Sequence, residues 1–278
     1  MPQIELRPRS VIKPESMVLD PYRGNVTSQC GEDGIIERIF EIIGTANKWC
    51  VEFGACDGKD LSNTWNLINN HGWHGVLIEA DDTRFQELQT TYKELLQAVC
   101  LMHTRVGLNP DPTLDHLMDV AKAPDDIDFL SIDIDGNDWH VWNSLIRYHP
   151  RVVVVEFNPT ADNDFLYVQD YDPAINQGSS LLGFVELGKL KGYELVAATD
   201  WNAFFVKSEL FERFGIADNS PDALHQPTYL TKILQGFDGT IVAAGLMELI
   251  WPRVPLTQED FQVLDTGCRK YPGRLDRG

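Results

Sequence analysis

The feature that most constrains the fold is an alternation of short apolar runs with amphipathic segments. Five runs have the apolar, β-branched character of buried strands, and in chain order they read WCVEFGA, GVLIEAD, AVCLMHTRV, IDFLSIDID and RVVVVEFN. Apolar residues in the intervening segments recur at helical spacing, as in SQCGEDGIIERIFEIIG, where Gly44 is a stop signal. Strands that alternate with helices predict a mostly parallel sheet with helices on both faces.

The pattern changes after the fifth strand. The long polar and aromatic stretch PTADNDFLYVQDYDPAINQGSS is typical of a lid, a substrate loop or disorder. Two further strands, YELVAAT and NAFFVK, are joined by a connection too short for a parallel crossover, so they predict an antiparallel hairpin. The predicted fold class is therefore α/β and Rossmann-like.

We predict three parts of the chain. Residues 1–27 are rich in Pro and Arg and form an N-terminal arm, residues 28–207 form the α/β domain, and residues 208–278 form a C-terminal extension that packs on the same domain. In the extension, SELFERFG and PTYLTKILQGF predict helices, and the remainder is expected to be irregular.

Charge and cysteine content narrow the class of partner. The net charge of −19 argues against nucleic acid and anionic membranes, because both are bound by basic surfaces. The five cysteines form no CxxC pair, and the N-terminus lacks an apolar core of the kind that signal peptides have. We therefore expect a cytoplasmic protein with reduced thiols and a small-molecule substrate, and leave open whether it forms homo-oligomers.

A nucleoside site is predicted where the first two strands end. Gly54 begins a strand–helix turn in VEFGACDG, and Glu79 ends the second strand, where a carboxylate can accept hydrogen bonds from ribose hydroxyls. Asp57 places a negative charge where the pyrophosphate of NAD would lie. S-adenosylmethionine (SAM), whose sulfonium is cationic, is therefore favoured over NAD.

A second site is predicted at the ends of the fourth and fifth strands. The residues that can converge there are Asp133, Asp135, Glu156 and Asn158, and such hard oxygen ligands suit Mg²⁺, Mn²⁺ or Ca²⁺ rather than zinc. Such an ion could chelate a substrate diol and lower the pKa of its hydroxyl.

Two other interpretations of the acidic residues remain open. In a metal-free site, Asp133 or His140 would be the catalytic base that accepts a proton from the acceptor. In a purely structural role, Asp133 and Asp135 would cap the following helix while Asp138 faces solvent.

Five strings occur in an order that resembles the FkbM-type SAM-dependent methyltransferases: SQCGEDG, VEFGACDGKDLSNT, GWHGVLIEAD, FLSIDIDGND and KGYELV. The resemblance covers roughly residues 28–207 and implies a seven-stranded class I methyltransferase sheet that ends in an antiparallel hairpin. It also implies that SAM is the cofactor. The residues it places around SAM are Glu52, Gly54, Asp57 and Gly58 at the methionine part, Glu79 at the ribose, and Ser28, Gln29 and Asn63 at the border.

The chain departs from the family where the fourth strand ends. Family members have a pattern close to D-x-E-G-x-E, whereas this chain has the shorter acids Asp135 and Asp138. The resemblance implies methyl transfer from SAM to an oxygen of a sugar or another small molecule. The alternative is a SAM- or nucleoside-binding protein without methyl transfer, whose acidic cluster binds a metal or a partner.

Overall fold

A seven-stranded sheet forms the centre of the protein in the computed structural model, which describes residue 4 and residues 11–270. Its strands are β1 (Trp49–Phe53), β2 (His74–Glu79), β3 (Val99–His103), β4 (Phe129–Ile132), β5 (Val152–Glu156), β6 (Tyr193–Ala198) and β7 (Asn202–Lys207). They lie in the order β3-β2-β1-β4-β5-β7-β6. Strands β1 to β5 are parallel and β7 runs antiparallel to both of its neighbours, which confirms the predicted Rossmann-like α/β class and its final hairpin.

Eight α-helices accompany the strands in the described residues: α1 (Glu32–Ile43), α2 (Trp65–His71), α3 (Asp82–Thr91), α4 (Leu114–Ala121), α5 (Asp138–Ser144), α6 (Leu181–Leu190), α7 (Ser208–Phe211) and α8 (Pro221–Leu224). The crossovers of β1, β2 and β3 run one way along the sheet, and that of β4 and β5 runs the other way. Because parallel crossovers are right-handed, the two groups of helices cover opposite faces.

The core lies where the sheet is covered on both sides. The four valines of β5, residues 152–155, are fully buried, and so are all four residues of β4. A strand without alternation between apolar and polar residues requires apolar partners on both faces, which the helices supply. The order of the strands therefore fixes where their carboxyl ends meet, at one edge of a rigid layer.

The end of the chain differs from its prediction. The expected helix at SELFERFG is present as α7 followed by a 3₁₀ turn, but the helix expected in PTYLTKILQGF is wrong. That segment contains β8 (Thr231–Gln235), which pairs with β9 (Ile241–Gly245), and a second hairpin joins β10 (Glu248–Leu249) to β11 (Val254–Pro255). The turn between β8 and β9 contains Gly236 and Gly239, and a partner strand within reach outweighs the weak helical spacing of a short segment.

The described part of the predicted arm packs against the extension. Residues 20–22 form a 3₁₀ turn, Leu19 and Ser16 are buried, and the backbone N–H of Lys13 donates to the carbonyl of Ala223 at 3.0 Å. Residues 1–3 and 5–10 of the arm and residues 271–278 of the extension lie outside the described residues. The three-part division of the chain stays a prediction.

The long connection after β5 is ordered around one buried side chain. Gln169 is 1% exposed, and its amide oxygen accepts from the N–H groups of Gln177 and Gly178 at 3.0 and 2.8 Å. Its amide nitrogen donates to the Asn137 side chain and to the carbonyl of Ile175. The connection is thus tied to the turn before α5. No helix among the described residues is both long and apolar enough to span a bilayer.

Candidate active site

A cavity of about 880 Å³ lies at the carboxyl edge of the parallel strands. Gly54 follows β1, Glu79 ends β2, Asp133 follows β4 and Glu156 ends β5, and all four line it. In open α/β sheets, ligands bind at this edge, beside the point where the strand order reverses, which here lies between β1 and β4. The structure therefore brings the two predicted sites together in one cavity.

Gly54 is required by the close approach of two strand ends. Its φ is +73°, and a Cβ at this position would lie 1.7 Å from the carbonyl oxygen of Asp133. A side chain there would separate β1 from β4 at the point of reversal. The absent side chain keeps the backbone open to the cavity.

Glu79 combines a structural task with exposure to the cavity. One carboxylate oxygen accepts from the N–H groups of Ala80 and Asp81 at 2.7 Å each, and the other accepts from the N–H of Cys56 at 2.8 Å. A carboxylate has about four acceptor positions, so one remains for a ligand hydroxyl. The three bonds also hold the turns after β1 and β2 together.

Glu52 lines the cavity, but its carboxylate is engaged by one loop. It accepts from the hydroxyls of Ser62 and Thr64 at 2.7 and 2.6 Å and from the N–H of Asn63 at 2.8 Å. Burial raises the pKa of Glu52, and these three bonds oppose that rise. The side-chain amide of Asn63 donates to Ser131 at 3.1 Å. Both residues therefore shape the cavity wall, and their predicted contact with SAM remains a prediction.

Asp57 and Gly58 lie in the turn behind the cavity and are absent from its lining within the described chain. The carboxylate of Asp57 accepts from the N–H groups of Lys59 and Asp60, at 2.9 and 2.8 Å. A Cβ on Gly58 would lie 2.4 Å from the side chain of Leu88 in α3. Their geometry accounts for a tight turn packed on α3, and no observation places them at the methionine part of a cofactor.

The segment SQCGEDG forms the rim beside the hairpin of β6 and β7. Glu32 is fully buried and accepts from the N–H groups of Gln29 and Cys30 through one carboxylate oxygen. Through the other it accepts from the Thr199 hydroxyl at 2.8 Å and the Asn202 amide at 3.3 Å. Gln29 lines the cavity, and its predicted place at the border of SAM remains a prediction.

Neighbouring Asp33 completes this arrangement. One of its oxygens accepts from three consecutive N–H groups, those of Val26, Thr27 and Ser28, at 2.7 to 2.9 Å. Ser28 itself does not belong to the cavity lining. Sequence reasoning identified this segment as the start of a helix and as one of the strings that carry the resemblance, but it missed Glu32 and Asp33 as the residues that hold the rim.

The acidic cluster consists of Asp133, Asp135 and Glu156. Each offers a carboxylate oxygen, and these three oxygens lie within 4.8 Å of one another. Because these oxygens are so close, a negative charge on Asp133 opposes ionisation of Glu156. Removal from bulk water, and then the neighbouring negative charges, raise the pKa values of both groups.

Asp138 does not face solvent, so that part of the structural interpretation is wrong. It is 2% exposed, and its two oxygens accept from the N–H groups of Ile134 and Gly136 at 2.8 Å each. Burial raises its pKa, and the hydrogen bonds oppose the rise. Asp138 thus closes the turn before α5, and Asp133 and Asp135 are left for the cavity.

Asn158 lies near the cluster but is engaged elsewhere. Its amide oxygen, the atom that would bind a metal, accepts from the N–H and the hydroxyl of Thr160 at 2.9 and 2.6 Å. Its amide nitrogen donates to the carbonyl of Gln177 at 2.7 Å. The geometry gives three candidate metal ligands and leaves the predicted fourth without support.

His140 is directed at the long connection after β5. Its Nε2 lies 2.7 Å from the carbonyl oxygen of Gln169, and its ring meets the ring of Tyr171 edge to face at 5.5 Å. A ring nitrogen that faces a carbonyl oxygen must carry a proton, so this nitrogen cannot take a proton from the hydroxyl that is to be methylated. His140 is absent from the cavity lining in the described residues, and no observation supports its predicted role as catalytic base.

The C-terminal extension supplies residues that sequence reasoning missed. Ile250, Trp251 and Arg253, in the connection between β10 and β11, line the cavity together with Trp201 from the turn between β6 and β7. A second cavity of about 300 Å³ adjoins the first. Four residues line both cavities: Asp135, Glu156, Asn176 and Trp251.

Solved structures with a similar fold are SAM-dependent methyltransferases. Magnesium protoporphyrin IX methyltransferase from Synechocystis PCC 6803, with bound SAM, is 10% identical, with 63% of this chain and 77% of that chain covered and a TM-score of 0.40. A SAM-dependent methyltransferase from Aquifex aeolicus is 11% identical, with 69% and 97% covered and a TM-score of 0.40. The N-terminal domain of EvdMO1, with SAH and D-fucose, is 12% identical, with 71% and 97% covered and a TM-score of 0.41.

Comparison of the amino-acid sequence with known families and proteins gives no match. No family model matches the chain, and no curated protein is similar enough to match it. Because the TM-scores are all below 0.5, the fold is established by the strand order and directions within the chain itself.

Proposed function

We propose that the protein is a SAM-dependent methyltransferase of the FkbM type that methylates an oxygen atom of a small molecule, such as a sugar or natural-product hydroxyl. The observation that carries the proposal is the placement of Glu79 and the acidic cluster in one cavity at the point of strand reversal. Glu79 can bind the ribose of a nucleoside, and the acidic cluster can bind the hydroxyl that accepts the methyl group.

The cavity offers groups that suit the chemistry of SAM. Glu79 retains one acceptor position for a ribose hydroxyl, and Gly54 leaves backbone accessible beside it. The cavity volume of about 880 Å³ lies in the upper part of the range of about 300 to 1,000 Å³ that holds drug-sized ligands. The cavity therefore has room for SAM together with part of an acceptor. When bound, SAM would supply an electrophilic methyl group.

The acidic cluster can receive the proton that methyl transfer releases. With SAM bound, a C–O bond would form as the S–C bond of the sulfonium breaks, and the hydroxyl proton would have to leave. Asp133 and Glu156 have raised pKa values, so their ionised form is a stronger base than an exposed carboxylate. They would also hold the acceptor hydroxyl in line with the methyl group, and positioning of this kind is a major source of rate enhancement.

A divalent ion is a further element of the proposal. Asp133, Asp135 and Glu156 offer three hard oxygen ligands close enough to share one Mg²⁺ or Mn²⁺, which would supply Lewis-acid stabilisation of the acceptor alkoxide. The metal-free alternative is that the cluster holds a proton, because burial and neighbouring negative charges favour the neutral form of Asp133 and Glu156.

A SAM- or nucleoside-binding protein without methyl transfer is the second candidate function. It requires the same contacts at Glu79 but no acceptor beside the acidic cluster. Steady release of S-adenosylhomocysteine that depends on an added hydroxyl compound would exclude it.

Titration calorimetry with SAM and with NAD tests the cofactor class. We expect SAM to bind and NAD not to bind. Glu79→Gln should weaken SAM binding by roughly ten- to a hundredfold, as loss of a charged hydrogen bond does. Glu94→Gln is the matched control, because Glu94 is an exposed acid just after α3, and it should leave SAM affinity unchanged. Absence of SAM binding at millimolar concentration would refute the proposed function.

A further inference from the structure

The connection between β10 and β11, residues 250–253, docks on the sheet domain. Such a connection is normally exposed, yet Ile250 is only 8% exposed and lines the larger cavity. Beside it, the ring of Trp251 meets that of Trp201 edge to face, with centroids 5.9 Å apart at 77°. Trp201 is fixed in turn because its carbonyl accepts from the N–H of Phe157 at 2.8 Å. The connection is therefore held against the end of β5.

Trp251 lies at the junction of the two cavities. It is the one aromatic residue among the four that line both, and the other three surround or belong to the acidic cluster. Its side chain is 55% exposed despite the contact with Trp201. Indole surface thus remains available beside the carboxylates of Asp135 and Glu156.

The smaller cavity combines two aromatic residues, the half-exposed Trp251 and the buried Phe157, with many hydrogen-bonding groups. Besides Trp251, it is lined by the carboxylates of Asp135 and Glu156 and by the side chains or backbone of Asn176 and Gln177. A planar indole packs on the C–H face of a saturated ring, while carboxylates and amides bind hydroxyls at the edge of the ring. A volume of about 300 Å³ limits the ligand to a few rings at most.

We propose that the smaller cavity is the acceptor subsite and that Trp251, from the C-terminal extension, determines acceptor specificity by packing on a polyhydroxylated ring of monosaccharide size. This inference rests on the proposed function, because the acidic cluster between the cavities then lies between methyl donor and acceptor. It assigns acceptor selection to residues outside the region of family resemblance.

Methyl transfer from SAM to the methyl glycosides of D-glucose, D-galactose, D-mannose and L-rhamnose tests the assignment, with S-adenosylhomocysteine release as the readout. In Trp251→Ala the acceptor KM should rise by about tenfold or more while the SAM KM changes by less than about twofold. Trp251→Phe should restore most of the loss. Val263→Ala, an exposed apolar residue of the same extension, lines neither cavity and should behave like wild type.

Saturation-transfer NMR with the same glycosides, in the presence of S-adenosylhomocysteine, gives a readout independent of turnover. We expect transfer from wild type and Val263→Ala, and loss of transfer from Trp251→Ala. Equal transfer from Trp251→Ala, or none to any glycoside from wild type, would overturn the assignment. If calorimetry then still shows SAM binding, the cofactor part of the proposed function survives and only the acceptor subsite falls; without SAM binding, both fall.

Discussion

Asp133 and Glu156 lie at the ends of two adjacent parallel strands, with carboxylate oxygens within 4.8 Å of each other. Register fixes this proximity, because Ile132 and Val155, the residues just before them, are paired across β4 and β5. Two acids in such a position destabilise the folded protein when both are ionised, because their like charges repel in a site that is removed from bulk water. This cost has measurable consequences.

Asp133 and Glu156 should make the protein less stable as the pH rises when no divalent ion or ligand is added. The pKa of each group is higher in the folded protein than in the unfolded chain, so the unfolded chain releases its proton first. The contribution of the pair to stability is therefore complete below the pKa values of the unfolded chain, near 4. It is lost as the pH rises toward the pKa values of the folded protein. Glu156→Gln should raise the melting temperature at pH 8 more than at pH 5. Glu94→Gln should show no such difference, and a pH-independent effect of Glu156→Gln would contradict the assignment.

Divalent ions should reverse that loss of stability if the cluster binds them. Millimolar Mn²⁺ or Mg²⁺ should raise the melting temperature of wild type, because an ion that binds only the folded state stabilises it by mass action. Asp133→Ala or Glu156→Ala should abolish the response, whereas Asn158→Ala should preserve it because the Asn158 oxygen is already engaged. Asp164→Asn, an exposed acid in the loop after β5, is the control. An unchanged response in both alanine variants would exclude a metal at this cluster.

Two glycines with nearly the same backbone angle should respond very differently to alanine. Gly72 and Gly54 have φ values of +67° and +73°, so both substitutions carry the cost of a left-handed residue, about 1 kcal/mol. Gly72 has open space where a Cβ would lie, but Gly54 faces the Asp133 carbonyl at 1.7 Å. Gly54→Ala should therefore cost several kcal/mol more in urea unfolding, on the order of other overpacked sites. Equal costs would show that the strand ends separate freely.

His225 should make stability fall in mild acid. It is buried, its Nδ1 lies 2.8 Å from the Asn163 side-chain oxygen, and burial, followed by the charge of Arg23, lowers its pKa to about 4. The unfolded chain takes up a proton near pH 6.5 and the folded protein does not. The contribution is thus complete above pH 6.5 and is lost as the pH falls toward 4, by about 3 kcal/mol at most.

Chemical denaturation of His225→Asn from pH 7 to pH 4.5 checks this. Asn can still donate to Asn163 but does not titrate, so the variant should lose less stability over that range than wild type. Parallel curves for the two proteins would show that His225 is not a source of acid sensitivity.

Local pattern was enough to predict the sheet and the ends of its strands. Gly54, Glu79, Asp133 and Glu156 could be placed in advance because parallel strands present their carboxyl ends at one edge. The role of Glu32 could not, because its partners Thr199 and Asn202 are distant in sequence. The same holds for Trp251, whose position depends on a contact with Trp201 that no periodicity encodes. The strand β8 was missed because the spacing of apolar residues in so short a segment fits a helix as well as a strand. Pairing with β9 is what makes it a strand.

The docked connection between β10 and β11 also bears on the order in which the molecule becomes complete during synthesis. A growing chain that has reached β9 already contains every strand of the central sheet, so its core can form while the last segment is still in the ribosome. Residues 250–253 reach the cavity only afterwards. The part of the cavity wall that residues 250–253 form is thus added after the part that the strand ends form.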